Sequence, residues 1–216
     1  MRIAILGASG GVGLWVTRFA VEAGYAVTAL VRPDRAFQPP PGVRVLRGAA
    51  LDQRDLTTAV ETQDVLISCL GAQRTQPWNP WSPLRQPSRV AEPSARAMAA
   101  VVPSTSVCRV VVVSAAGVGD SLVWTNPAIR WMLRHSTVGE MYADLGGMEE
   151  TLRASSLEWV AVRPVTLVNA APTSRTRVLS RYRAVSIIGR ADVAAWLLRV
   201  ATEPYVGDRT PMIGWW

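Results

Sequence analysis

The sequence predicts one α/β domain in which a doubly wound parallel sheet carries helices on both faces. Three observations predict it. Apolar runs of strand length alternate with helical stretches along the chain. A glycine-rich turn joins the first such run to the first helical stretch. The length, 216 residues, suits one well-buried unit, and no internal repeat divides it.

Taken in order, RIAIL (2–6) is the first strand, GASGGVG the turn, and LWVTRFAVEAG a helix that stops at Gly24. AVTALV (26–31) is the second strand. VRVL (43–46) is the third, after the proline-rich turn QPPPG. DLTTAVE reads as a short helix, DVLISCLG as strand four and RVVVVSAAG (109–117) as strand five. Between the last two, RQPSRVAEPSARAMAAVV is helical in pattern, with Pro93 interrupting it or opening a turn. Helical stretches follow at 127–134 and 138–154, then EWVAVRP (158–164) as strand six. RADVAAWLLRVAT (190–202) is an amphipathic helix, and TPMIGW closes the chain as an edge strand.

Composition removes several function classes. No apolar run approaches the roughly 18 residues that a bilayer span requires, and the N-terminus has no signal-peptide cleavage pattern, so a cytoplasmic protein is expected. All 23 basic residues are arginine, and they give a net charge of +7. They are scattered along the sequence with no nucleic-acid-binding motif, so no nucleic-acid partner is expected. Cys69 and Cys108 lack neighbours at metal-ligand spacing and read as buried thiols; no metal is expected. The single histidine, His135, leaves no material for a Ser-His-Asp triad and reads as a surface or capping residue.

Gly7, Gly10 and Gly13 form G-x-x-G-x-x-G between a strand and a helix. The first allows a tight turn, the second a close approach to a pyrophosphate, and the third close strand–helix packing. With Ala8, Ser9, Gly11 and Val12 they place helix amides where phosphates bind. At the end of the second strand the chain reads LVRPDR. Arg32 and Arg35 suit the 2′-phosphate of NADP(H), whereas Asp34, the competing residue for an NAD ribose, sits beyond Pro33 between two guanidinium groups.

GASGGVG, LVRPDR, VVVSAAGVGD, MEETLRASSLEWVAVRP and RADVAAWLL together resemble the atypical short-chain dehydrogenase/reductases. More narrowly, they resemble the NmrA-like NAD(P)-binding proteins and the biliverdin-IXβ reductase/flavin reductase type. The resemblance runs from about residue 1 to residue 203. It implies a Rossmann fold, NADP(H), and hydride transfer to a small aromatic, flavin-like, quinone or carbonyl acceptor; some members bind cofactor and catalyse nothing. It places Ser114 beside the nicotinamide, Arg163, Pro164 and Val165 along the nicotinamide side, and Leu70 and Gly71 near the adenosine half. Where relatives often carry an acid to meet the adenine this chain has Ala49, and Asp52 is the nearest carboxylate.

In the better-known branch of that superfamily a Tyr-x-x-x-Lys pair supplies the proton. Here the stretch is YADLG, with Gly146 in the lysine's place and no lysine elsewhere, so the tyrosine–lysine mechanism is excluded. Positioning and a proton from water can replace it, with Ser114 binding a substrate oxygen and Tyr142 shaping the pocket or donating weakly. Tyr142 reads equally well as a helix residue packed on the core. Glu140, Asp144, Glu149 and Glu150 read as a solvated helix face, from which one could relay protons. The 72–87 loop and the 117–150 region are expected to build the substrate pocket, with the tryptophans of the loop meeting substrate or a partner. A redox-neutral isomerase or dehydratase, and a non-catalytic NADP sensor that binds a protein, remain open readings, and the sequence is compatible with a homodimer.

Overall fold

The structure is a computed structural model that describes residues 1–183, 185–204 and 207–215. Ten strands are described: β1 (Arg2–Leu6), β2 (Ala26–Val31), β3 (Arg44–Arg47), β4 (Val65–Ser68), β5 (Arg109–Val113), β6 (Trp159–Pro164), β7 (Thr166–Val168), β8 (Thr176–Val178), β9 (Ile187–Gly189) and β10 (Met212–Trp215). The α-helices are α1 (Gly11–Glu22), α2 (Gln53–Val60), α3 (Ala91–Val101), α4 (Pro127–Arg134), α5 (Thr137–Ala154) and α6 (Arg190–Thr202).

Eight strands form one sheet in the order β3-β2-β1-β4-β5-β6-β10-β8, parallel except for β8. β1 lies between β2 and β4, with Ile3 opposite both Val27 and Val65. The chain therefore leaves β1 toward one side and returns to the other at β4, which opens a crevice at the carboxyl ends of these strands. The strands read as continuous apolar runs because both faces are covered. Ile3 and Ile5 pack into a core with Val12, Val16 and Leu197 of α1 and α6. Ala4 and Leu6 face the other way, onto Leu56, Met98 and Leu152 of α2, α3 and α5.

Four expectations need correction. The closing TPMIGW strand is internal, because β10 pairs with β6 on one side and β8 on the other. Cys108 is exposed, since it precedes the first residue of β5. Asp144 is not solvated: its carboxylate accepts from the amides of Val90, Ala91 and Glu92 at 2.9, 2.8 and 3.1 Å. The residue preceding α3 is Val90, which has no capping side chain, so an acid from α5 stabilises the free amides of that helix end. Glu149 is likewise buried and is described below. Pro93 sits in the first turn of α3, where its missing N–H costs nothing.

The glycine pair at 146–147 does not open α5, which is continuous. A Cβ on Gly147 would meet the Glu92 carboxyl group at 2.7 Å, so the absent side chain lets α5 lie close against α3.

Candidate functional site

The crevice is a groove of about 560 Å³. Its floor is the turn after β1. Gly7 has φ +75°, and a Cβ there would lie 2.9 Å from the Cys69 carbonyl oxygen. A Cβ on Gly13 would lie 2.1 Å from the Gly7 carbonyl oxygen, so the first turn of α1 can rest on this loop only without a side chain. Gly10, the residue before α1, offers no capping side chain, which leaves the helix amides available to an anion. Gly7, Ser9 and Gly10 line the groove, while Ala8 and Val12 are buried in the core and Gly11 abuts the Arg190 side chain.

One wall comes from the end of β2. Arg32 and Arg35 both line the groove, with Asp34 between them and 3.5 Å from the Arg32 guanidinium. Arg47, at the end of β3, donates to the backbone carbonyls of Arg32 and Arg35 and so fixes the loop that carries them. Sequence reasoning missed that role, since nothing in the spacing of 32 and 47 announces it. Ala49, Ala50 and Leu51 continue the wall. Asp52, the carboxylate expected nearest the adenine, lies outside this lining: it accepts from the amides of Arg54 and Asp55 and caps α2. Cys69, Leu70 and Gly71 form the opposite wall. Cys69, expected to be buried, is half-buried in that wall, and its desolvation pushes the thiol up to about 12, which disfavours the thiolate.

Gln73, Arg85, Gln86 and Pro87 of the 72–87 loop border the remaining side. The loop is ordered by backbone bonds from Thr75 to Pro83 and from Arg85 to Gln73. It is tied to the start of α5 by Thr137, which donates to the carbonyls of Pro80 or Ser82, each at 2.8 Å, and by the Trp81 indole, which donates to the His135 carbonyl.

Beyond the β4 end lies a closed polar cluster. Ser114 follows β5 and donates to Glu149 at 2.6 Å. Glu149 also accepts from two nitrogens of Arg163, at 2.9 and 2.5 Å, and Arg163 reaches Asp120 at 2.8 Å. Arg163 and Glu149 are each 2% exposed. Burial disfavours the guanidinium charge, but the bonds to Glu149 and then Asp120 outweigh it and raise the Arg163 pKa. Burial also works against the Asp120 charge, and the bond from Arg163 overcomes it and lowers that pKa. The Tyr142 phenol donates to the Ala116 carbonyl at 3.1 Å. Burial raises its pKa well above the usual phenol value, with Tyr182 adding to the rise and Arg74 partly offsetting it. Tyr142 and the Glu149–Arg163 pair thus grip successive parts of the segment 114–120.

Ser114, Tyr142, Arg163, Pro164 and Val165 lie outside the groove lining. Pro164 and Val165 are buried, and the Val165 amide is bonded to the Ile213 carbonyl. Glu149 was the hidden member of the set. Its one sequence signal is its place beside Leu145, Met148 and Leu152, the apolar positions of α5.

Residues 7–204 match the protein family described as NAD(P)H-binding. The Arabidopsis thaliana protein named "Probable pinoresinol-lariciresinol reductase 3" is 35% identical over 74 residues, which is 32% of this chain and 24% of that protein. The match thus spans about a quarter of that relative's length. An anaerobilin reductase from Escherichia coli O157:H7 superimposes with a TM-score of 0.77 at 20% identity, over 99% of this chain and 96% of that one. A short-chain dehydrogenase/reductase from Veillonella parvula DSM 2008, solved in complex with NADP, gives 0.78 at 17% identity, over 99% and 94%. At these identities the structural matches establish the Rossmann-type fold.

Proposed function

The chain belongs to the NAD(P)H-binding family, and from that premise we propose that it is an NADPH-dependent reductase of a small aromatic, flavin-like, quinone or carbonyl acceptor. The observation that carries the reading is the uncapped N-terminus of α1 over the glycine turn, facing a wall that holds Arg32 and Arg35. The turn from Gly7 to Gly13 seats the pyrophosphate, with backbone amides of Ser9, Gly11 and Val12 as donors and Ala8 packing the turn onto the core. Arg32 and Arg35 pair with the 2′-phosphate, and Arg47 holds them in place. Leu70 and Gly71 border the adenosine half.

When bound, NADPH supplies the hydride. The segment 114–120, which follows β5, meets the nicotinamide end, with Arg163, Pro164 and Val165 buried behind it as its support, and the acceptor occupies space between the 72–87 loop and the 117–150 region. Glu149 holds the Ser114 hydroxyl in one orientation, and Arg163 neutralises the buried carboxylate. Tyr142 keeps its proton, because burial raises its pKa and no lysine opposes that effect. It therefore positions the 116 carbonyl, and the proton for the acceptor comes from solvent.

Calorimetric titration with NADPH, NADP⁺ and NADH, followed by NADPH oxidation against flavin and quinone acceptors, tests the reading. Turnover supports it. One observation favours a second reading: both candidate hydroxyls, on Ser114 and Tyr142, are already bonded within the protein. Tight binding without turnover would select that reading, a redox-neutral enzyme or a cofactor sensor.

A further inference from the structure

The arginines that look scattered in sequence are gathered by the fold. Residues 73–90, 121–136 and 165–189 follow the carboxyl ends of β4, β5 and β6, and together they hold nine of the 23 arginines and none of the 16 carboxylates. The rest of the chain has 14 arginines against 16 carboxylates, so the whole positive excess sits in these three segments. Seven of the nine arginines are exposed, and Arg89 is ion-paired with Glu92.

The same segments carry the exposed apolar side chains. Of the ten large hydrophobic residues exposed on the described surface, eight lie here. They include Trp78, Trp124, Trp131 and Val185, at 81%, 56%, 58% and 83% exposure. Printed along the chain, apolar and basic residues interleave: Trp124, Arg130, Trp131, Arg134 in one segment, and Arg177, Val178, Arg181, Arg183, Val185 in another.

Bonds tie the three segments into one surface, and the exposed carboxylates that border it include Asp120, which pairs with Arg163, and Glu140, beside Trp81 and Arg134. Trp81 and Thr137 bond the first to the α4–α5 junction, and Trp131 stacks on His135 there with ring centroids 4.9 Å apart. The Tyr182 amide donates to the Trp124 carbonyl at 3.2 Å, and Tyr182 bridges to Thr125, which brings in the third.

We infer that this surface docks on an anionic lipid bilayer, lying in the headgroup region without crossing it. Among the described residues no helix is long and apolar enough to span a membrane. Tryptophan and arginine are the side chains that settle at the headgroup boundary, the first with an apolar body and the second with a charge for lipid phosphates. A second copy of the chain would bring an equally basic face against this one. Protein interfaces gather their apolar groups at a centre inside a polar rim, whereas here exposed apolar and basic residues interleave along two of the three segments. Exposed valines have no use on a phosphate backbone, which favours lipid over nucleic acid.

The test is flotation of the full chain with vesicles of phosphatidylcholine alone or with about one third phosphatidylglycerol. Binding to the anionic vesicles only, lost in high salt, is the expected result. Replacing both Arg181→Gln and Arg183→Gln weakens binding about 30-fold, and Trp124→Ala with Trp131→Ala weakens it about 10-fold or more. All four side chains are exposed, so unfolding curves should not change; a variant that fails this control is replaced by Val185→Asp, which should weaken vesicle binding as well. Equal binding to neutral and anionic vesicles, or binding to neither, overturns the proposal. So does tighter binding to an oligonucleotide that displaces the vesicles.

Discussion

The two halves of the carboxyl edge are built on opposite principles. Around the β1–β2 side, donors are left open: α1 starts on a glycine with no capping side chain, and Arg32 and Arg35 line a groove. Around the β5–β6 side the donors are paired within the protein, through Ser114 to Glu149, Arg163 to Glu149 and Asp120, and Tyr142 to the 116 carbonyl. An open set of donors suits a charged ligand, whereas a closed set fixes backbone. Under the proposed function the first half recognises the cofactor and the second positions the backbone at its reactive end.

Breaking the closed half should have the largest effect. Glu149→Ala leaves the Arg163 charge buried with only Asp120 beside it, and should cost about 3–5 kcal/mol of stability in denaturant unfolding. In the open half, Gly13→Ala places a Cβ 2.1 Å from a backbone oxygen and should cost about 3 kcal/mol while abolishing NADPH binding. Arg47→Ala should leave stability nearly unchanged and weaken NADPH binding, because it loosens the loop without touching the ligand. Calorimetry separates these outcomes from a general loss of fold.

A smaller effect concerns acid stability outside both halves. Asp192 is 3% exposed. Burial opposes its charge, but bonds from Thr173, Trp215 and Ser174 outweigh burial and lower its pKa. A depressed carboxylate contributes stability that is full above the unfolded value of about 3.9 and is lost as pH falls through the folded value. Asp192→Asn should therefore reduce stability at neutral pH and flatten the loss below about pH 4. The smallest expected change is in Tyr142→Phe, about 1 kcal/mol from one hydrogen bond, with cofactor affinity unaltered.

Much of this was legible in the sequence. β1, β2, α4 and α6 run where periodicity and turn residues predict, because strands covered on both faces read as apolar runs and the two helices begin at Pro127 and just after Gly189. β7, β8 and β9 were not, since three residues are too few to show alternation. Asp144 and Glu149 were misread for a single reason. An acid on a helix is exposed by default, and what buries these two is a free helix end 53 residues away and an arginine on another strand. Those partnerships belong to the topology and leave no local pattern. The same holds for the basic surface, whose arginines come together only after β4, β5 and β6 bring three loops to one edge.

The most direct measurement compares NADPH with NADH binding by calorimetry in the unaltered protein and in Arg32→Ala. The account predicts tighter binding of NADPH, and a loss on substitution of about 10-fold or more for NADPH with little change for NADH. Equal losses for the two cofactors would contradict it, as would an unaltered protein that binds NADH as tightly as NADPH.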